Sequence, residues 1–218
     1  MTHSLHREGT RDSLLGDYCV FIYPARGFNY KNSRPRIRRN VEIFYGVGPD
    51  NMCATTLRQN LYSEVTHQQV LDSISNGPDG TRVYATFSSR EKIKELLTRL
   101  KEADQGLSIM VSGLIDQVRE IAAEVGLNPH TINLSLGTHG NIKRLPPADI
   151  RQFTTMCGHA VVSPQLVRDA IVKVKRGKMS CWDASVRLAS PCACGIFNPY
   201  RSTELLQATA PTYTITRW

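Results

Sequence analysis

Short apolar runs alternate with helical stripes through the first two thirds of the chain. Runs rich in β-branched and aromatic residues predict buried strands at 18–25, 41–47, 82–87, 107–111 and 131–136. Stretches with apolar residues every three or four positions predict helices at 54–75, 90–104 and 114–125. The strand–helix–strand–helix–strand order in the second part of this region is typical of a sheet covered by helices. We therefore predict an α/β (or α+β) domain with a mixed sheet over residues 17–145.

The pattern changes to a series of short helices after the proline pair that ends at Pro147. Pro147 suits the first position of a helix that would end at Cys157, with Gly158 as its left-handed cap. Capping residues predict three further helix starts, at Ser163, Ser180 and Asn198. Residues 146–218 are thus predicted to form a small all-helical lobe that carries cysteines, and residues 1–16 to form a flexible tail.

The composition is that of an ordinary globular protein with a basic surplus. Apolar residues make up 41% of the chain, and no apolar run nears the roughly 20 residues that span a bilayer. The polar N-terminus lacks the apolar core of a signal peptide, so we expect a cytoplasmic protein without a membrane partner. The net charge of +8 suits a small anionic substrate, an acidic redox partner protein or nucleic acid. Nucleic acid is less favoured, because the sequence shows no RNP-like strand, zinc-finger spacing or basic zipper.

Cationic side chains cluster in a stretch that predicts a polar loop between the first two strands. The arginines in it are Arg34, Arg36, Arg38 and Arg39. Their planar forks suit a phosphate or carboxylate, so they are candidate anion-binding residues, with an exposed basic loop as the alternative. His139 follows the strand predicted at 131–136, at the end where α/β sheets place ligands. It is a candidate catalytic residue, with an ordinary loop histidine as the alternative.

Four of the six cysteines lie in the last third of the chain: Cys157, Cys181, Cys192 and Cys194. In a cytosolic protein they suit metal binding, thiol catalysis or burial better than a disulfide framework. Cys192 and Cys194 fall in a loop bounded by proline and glycine, where free backbone N–H groups can hydrogen-bond thiolates. Two predicted helices bring Cys157 back beside them. The pattern therefore predicts a soft-ligand metal or cluster site.

Three thiolates can hold three irons of a [4Fe–4S] cluster. The fourth iron would take Cys181, Cys53 or His159, or stay open as a Lewis acid toward a substrate. Zinc on the same thiolates, with His159 as fourth ligand, is the alternative. Thiol chemistry or buried free cysteines are the third interpretation, and Cys19 inside a strand suits burial alone.

The motifs MCGH at 156–159 and PCxCGIFNxxR at 191–201 resemble a group of poorly characterised iron–sulfur proteins of anaerobic microbes. The resemblance covers only the last third of the chain. It implies a cluster and names neither a reaction nor a substrate.

These features together predict an iron–sulfur enzyme or enzyme subunit that acts on a small anionic metabolite by hydro-lyase or reductive chemistry. In this hypothesis Asn198 and Arg201 orient the ligand near Cys194, and His159 transfers protons. A helix cap, a surface arginine and a hydrogen-bonded histidine are their simpler interpretations. The alternative function is a non-catalytic carrier of clusters or electrons, or a zinc protein that binds nucleic acid. A site shared between chains of a homo- or hetero-oligomer fits either function.

Overall fold

A single four-stranded sheet lies at the centre of the part of the chain that the structure describes. The computed structural model describes residues 4–63, 65–159 and 161–215. The strands are β1 (Tyr18–Tyr23), β2 (Asn51–Ala54), β3 (Val83–Phe87) and β4 (Ser108–Ser112). Their order is β2-β3-β1-β4, and neighbouring strands are antiparallel. The predicted α/β or α+β class is confirmed, with antiparallel pairing as in α+β proteins.

Helices account for most of the remaining regular structure. The helices are α1 (Arg11–Leu15), α2 (Arg34–Val47), α3 (His67–Asn76), α4 (Arg90–Ala103), α5 (Ile115–Glu124), α6 (Ala148–Thr154), α7 (Pro164–Lys175), α8 (Cys181–Ala189) and α9 (Pro199–Thr209). In the described residues none of them is long and apolar enough to cross a membrane.

The first face of the sheet is covered by α2, α3, α4 and α5. Val20 and Ile22 of β1 belong to this core, together with Phe44 of α2 and Leu96 of α4. Alternate residues of a strand point to opposite faces, so this face takes the even-numbered residues of β1. The side chains buried here are overwhelmingly apolar, and the layer is an ordinary hydrophobic core.

The second face of the sheet is covered by α6, α7, α8 and α9. Cys19 and Phe21 of β1 belong to this core, which also contains Cys157, Cys192 and Cys194. The helices around the cysteines and the helices of the first layer therefore pack on opposite faces of the same sheet. The division of the chain at residues 145 and 146 stays a prediction.

Several helix starts lie where the capping residues predicted them. The Oγ atom of Ser163 accepts a hydrogen bond from Leu166 N at the start of α7, and that of Ser180 accepts one from Asp183 N at the start of α8. Asn198 caps α9. A cap acts on backbone groups two or three residues away, so its signal is contained in the local sequence.

The basic stretch forms a helix, so the predicted loop and the strand predicted at 41–47 were wrong. Ile37, Val41 and Phe44 are fully buried along one side of α2, and Gly48 ends the helix in a left-handed conformation. A short apolar run with branched and aromatic residues fits a strand or a buried helix equally well by its pattern. Packing against the sheet selected the helix.

The structure also corrects the predictions made for the region around Cys53 and for the end of α6. Cys53 lies in strand β2, for which no strand was predicted, and among the described residues of 54–75 the helix is confined to α3. α6 begins after Pro147 and ends at Thr154, so Gly158 does not cap it. Thr155 follows with right-handed dihedral angles and closes the helix instead.

The strand predicted at 131–136 is also absent. These residues carry no regular structure and are exposed. Even the apolar side chains of Leu134 and Leu136 are 63% and 87% exposed. A strand needs a neighbour for its backbone groups, and the described residues pair no strand with this segment. Alternation of apolar residues alone could not supply that neighbour.

Candidate metal centre

Three buried thiols and one imidazole meet on the second face of the sheet. Cys157 follows α6, and Cys192 and Cys194 lie in the loop between α8 and α9. The Sγ atoms of Cys192 and Cys194 are 3.7 Å apart, and Cys194 Sγ lies 3.5 Å from His159 Nδ1. Cys157 interacts electrostatically with both other thiols. Since His159 is exposed, it forms the solvent side of the group.

The loop between α8 and α9 lies directly against strand β2. It turns at Gly195, whose φ of +66° is rare for residues with a side chain. A Cβ atom added there would lie 2.4 Å from the carbonyl carbon of Met52. Cys53, the next residue of β2, is near enough to Cys192 to interact with its charge. The glycine thus lets the cysteine loop approach the sheet.

Two buried asparagines orient this loop through its carbonyl groups. Asn60 Nδ2 donates to three carbonyls around the end of α8, among them Cys192 O at 2.9 Å. Asn51 Nδ2 donates to Phe197 O at 2.9 Å. With its carbonyls held in this way, the loop directs the N–H group of Phe197 to the sulfur of Cys192. Such N–H bonds stabilise thiolates and thereby prepare sulfur for a metal.

The three thiols differ in the direction in which their pKa values are shifted. The pKa of Cys157 is lowered because the thiols of Cys192 and Cys194 donate hydrogen bonds to it, aided by backbone N–H groups of His159 and Val161. The pKa values of Cys192 and Cys194 are raised, chiefly because each thiol donates a hydrogen bond to Cys157. A metal binds thiolates rather than thiols, so its affinity for this group would fall as the pH is lowered.

The distances between donors fit one tetrahedral ion. Zinc binds sulfur at about 2.3 Å and imidazole nitrogen at about 2.0 Å, which places two sulfurs about 3.8 Å apart and a sulfur and a nitrogen about 3.5 Å apart. The observed separations are 3.7 and 3.5 Å. In a [4Fe–4S] cluster each thiolate binds a different iron, so the sulfurs lie farther apart. The spacing therefore suits zinc better than a cluster.

The agreement holds for two separations between pairs of donor atoms, and it does not extend to a complete set of ligands around one ion. Over the described ranges, no group of three or more His, Cys, Asp or Glu side chains is placed to hold a metal ion as it stands. Cys157 interacts electrostatically with the other two thiols.

The other cysteines lie around this group at different depths. Cys181 begins α8 and is half-buried, and within the described residues no hydrogen bond joins its thiol to the three central ones. Cys53 is buried behind Cys192, and burial raises its pKa to about 12. Burial also raises the pKa of Cys19, whose sulfur accepts a hydrogen bond from Arg7. Of the proposed fourth ligands, His159 lies within hydrogen-bond distance of a central thiol, that of Cys194.

Asn198 and Arg201 belong to a buried polar network beside the cysteine loop. Asn198 Nδ2 donates to Asp17 Oδ1 at 3.2 Å, and Arg201 Nη1 donates to Asp17 Oδ2 at 2.8 Å. Burial lowers the pKa of Arg201. Burial acts in the same direction on Arg7, but the charge of Asp17 and the bond to Cys19 raise its pKa overall. The structure thus shows Asn198 and Arg201 binding the N-terminal region of the chain.

The arginines predicted to bind an anion are not near the thiols. They lie on α2, which packs on the first face of the sheet. Arg34 pairs with Asp79, and Arg38 and Arg39 pair with Glu42. The fourth, Arg36, donates to the carbonyls of residues 29 and 31. The sheet lies between these arginines and the cysteine group. Their predicted role in binding an anion therefore has no link to the thiols.

His139 lies in the exposed segment that was predicted to follow a strand. Its Nε2 atom is 3.0 Å from the carbonyl oxygen of Leu136. Because the strand is missing, the reason for regarding this histidine as catalytic is missing too. Its catalytic role remains a prediction.

Several residues of the site had no signal in the sequence. Asn51 and Asn60 hold the cysteine loop, and Arg7 and Asp17 form the buried charge network. Isolated asparagines and charged residues are common on protein surfaces, so their types alone do not indicate burial. Only the position of Asp17 directly before an apolar strand was unusual, and that was not enough to predict its partners.

Comparison of the chain with family models, curated proteins and solved structures finds no match. The resemblance of its cysteine motifs to iron–sulfur proteins therefore stays a prediction.

Proposed function

We propose that this protein binds a metal through Cys157, Cys192, Cys194 and His159, and that the metal is a single zinc ion. The observation that carries this proposal is the pair of donor separations, 3.7 Å between two sulfurs and 3.5 Å between sulfur and nitrogen. Three thiolates and one imidazole are an established ligand set for zinc. The loop that presents them is oriented by buried hydrogen bonds, as metal ligands require.

Zinc in such a site would fasten the loop after α6 to the loop between α8 and α9. With all four ligands bound, the ion has a structural role. His159 is the exposed ligand and so the easiest to displace, and its departure would leave an open position for water or a substrate. A role as a lyase or oxidoreductase subunit rests on that open position alone, because the predicted anion-binding arginines lie across the sheet.

An iron–sulfur cluster on the same thiolates is the second candidate. The observation in its favour is that backbone N–H groups of His159 and Val161 donate to Cys157, while that of Phe197 donates to Cys192. Hydrogen bonds of this kind tune the potential of clusters. The cluster would require the three sulfurs to separate beyond the spacing seen here, and this ranks it below zinc.

Metal analysis of the anaerobically purified full chain tests both candidates. We expect about one zinc per chain in a tetrahedral thiolate site. About four irons with four sulfides and broad visible absorption would favour the cluster instead. Cys157→Ser and Cys192→Ser should lose the metal, whereas the matched control Cys181→Ser should keep it. A wild-type chain without zinc or iron, or a Cys192→Ser chain that retains it, would contradict the proposal.

A further inference from the structure

Two buried guanidinium groups share one carboxylate beside the cysteine loop. The side chains of Arg7 and Arg201 are 6% and 1% exposed, and both donate to Asp17 Oδ2, at 2.9 and 2.8 Å. Two positive charges and one negative charge leave a surplus of one positive charge in the interior. A buried charge is strongly destabilising unless an opposite charge compensates it. The surplus therefore requires an anionic neighbour.

The free side of Arg7 faces the cysteine loop. Its Nη2 atom donates to Cys19 Sγ at 2.7 Å and to the carbonyl of Ile196, which lies two residues after Cys194. Its Nε atom is buried and has no hydrogen-bond partner among the described residues. Arg7 also interacts electrostatically with Cys192. The guanidinium thus lies between Asp17 and the cysteine loop, and its Nε–H group is still available as a donor.

The proposed metal centre carries the charge that the network lacks. A divalent ion with three thiolates and one neutral imidazole has a net charge of about −1 by its ligand charges. That charge is opposite to the surplus on Arg7, Arg201 and Asp17. Burial disfavours a compensating thiolate at Cys19, because it raises the pKa of that thiol.

We infer that Arg7 is the counter-charge and a positioning residue of the metal centre, and that residues 4–10, here called the N-terminal segment, are held in place by the bound metal. The inference rests on the proposed function. The segment is further attached by Glu8, whose N–H donates to Thr155 Oγ1 and whose carboxylate pairs with Arg151. Metal binding and docking of the segment stabilise each other, since such coupling is reciprocal.

Zinc affinity of Arg7 variants tests the charge. Competition of the full-length chain with a chromophoric chelator should show at least tenfold weaker zinc binding for Arg7→Met. Arg7→Lys retains a positive charge and should bind more tightly than Arg7→Met. The control Arg11→Gln removes an arginine that pairs with Asp116 on the surface, and should bind zinc as the wild type does.

The possible failures of this experiment are distinguishable. A wild-type chain that binds no zinc would overturn the metal-binding function itself. A wild-type chain and an Arg7→Met chain with equal zinc affinity would overturn the role of Arg7 while leaving the metal centre intact. Equal losses in Arg7→Met and Arg7→Lys would indicate a packing role and would also overturn the counter-charge.

Hydrogen exchange in the wild-type chain tests the segment without a variant that could misfold. Amides of residues 5–9 should exchange at least tenfold faster after zinc is removed with a chelator. Amides of α4, on the first face, should be unchanged. Unchanged exchange in the segment would overturn the coupling, and so would an equal increase throughout the chain, because that would reflect global unfolding.

Discussion

The two faces of the sheet are filled in different ways. The first face is an apolar layer in which Ile37, Phe44 and Leu96 are fully buried. The second face buries Asp17 and Arg201 to 1% exposure each, together with the thiol group. Burial of apolar surface stabilises a fold, whereas burial of charge weakens it unless every charge is compensated. The first face thus buries apolar side chains almost alone, whereas the second face combines an apolar core with buried charges and thiols.

This difference predicts that the two faces respond unequally to mutation. The largest effect is expected for Asp17→Asn, which leaves both buried guanidiniums without their shared anion. Removing one partner of a buried ion pair costs about 3–5 kcal/mol, and we expect that loss in urea unfolding. Asp116→Asn is the matched control, because its pair with Arg11 is half-exposed. A loss for Asp17→Asn as small as for the control would mean that the network is solvated.

The next effect concerns removal of the proposed zinc ion. At a free zinc concentration of about 1,000 times Kd, binding to the folded state adds about 4 kcal/mol of stability. We expect Tm of the wild type to fall when a chelator is added, and Tm of Cys157→Ser to be unaffected by it. Because zinc binds the deprotonated thiols, its affinity should also weaken as the pH is lowered. A chelator response in Cys157→Ser equal to that of the wild type would contradict this prediction.

A smaller effect is expected on the first face. Ile37→Val removes one methylene group from an apolar core and should cost about 0.5–1.5 kcal/mol. The loss should be the same with and without chelator, because Ile37 lies across the sheet from the thiols. Urea unfolding under both conditions measures it. A clear dependence on the chelator would show that the faces are coupled and would remove the contrast between them.

The smallest effect concerns a surface pair on the first layer. Hydrogen bonds from Arg90 and Lys94 lower the pKa of Glu124 from 4.5 to about 2. A lowered pKa in the folded state adds stability above pH 4.5 that is lost as the pH falls toward 2. Glu124→Gln should therefore show a slightly weaker loss of stability on acidification between those values, measured by thermal unfolding. An unchanged acid profile would mean that solvent screens the pair.

The sequence predicted well those features whose causes are local. The N-caps Ser163, Ser180 and Asn198 act within one turn, and each was confirmed. The strand at 131–136 and the loop that became α2 were predicted wrongly, because each depends on what lies beside it. Strand formation needs a paired edge, and a short apolar run becomes helix or strand according to the surface it covers.

The candidate site divides in the same way. The residue types and spacing of Cys157, Cys192 and Cys194 predicted a soft-metal site, because cysteines in a loop bounded by proline and glycine have free backbone N–H groups beside their sulfurs. The sequence by itself determined these candidate donors and the local turns that carry them. Only the tertiary structure decided that the cysteine loop rests on β2 and that Arg7 lies behind it. The physical reason is that charge compensation and donor distances depend on groups far apart in the chain, brought together by burial of the apolar surface around them.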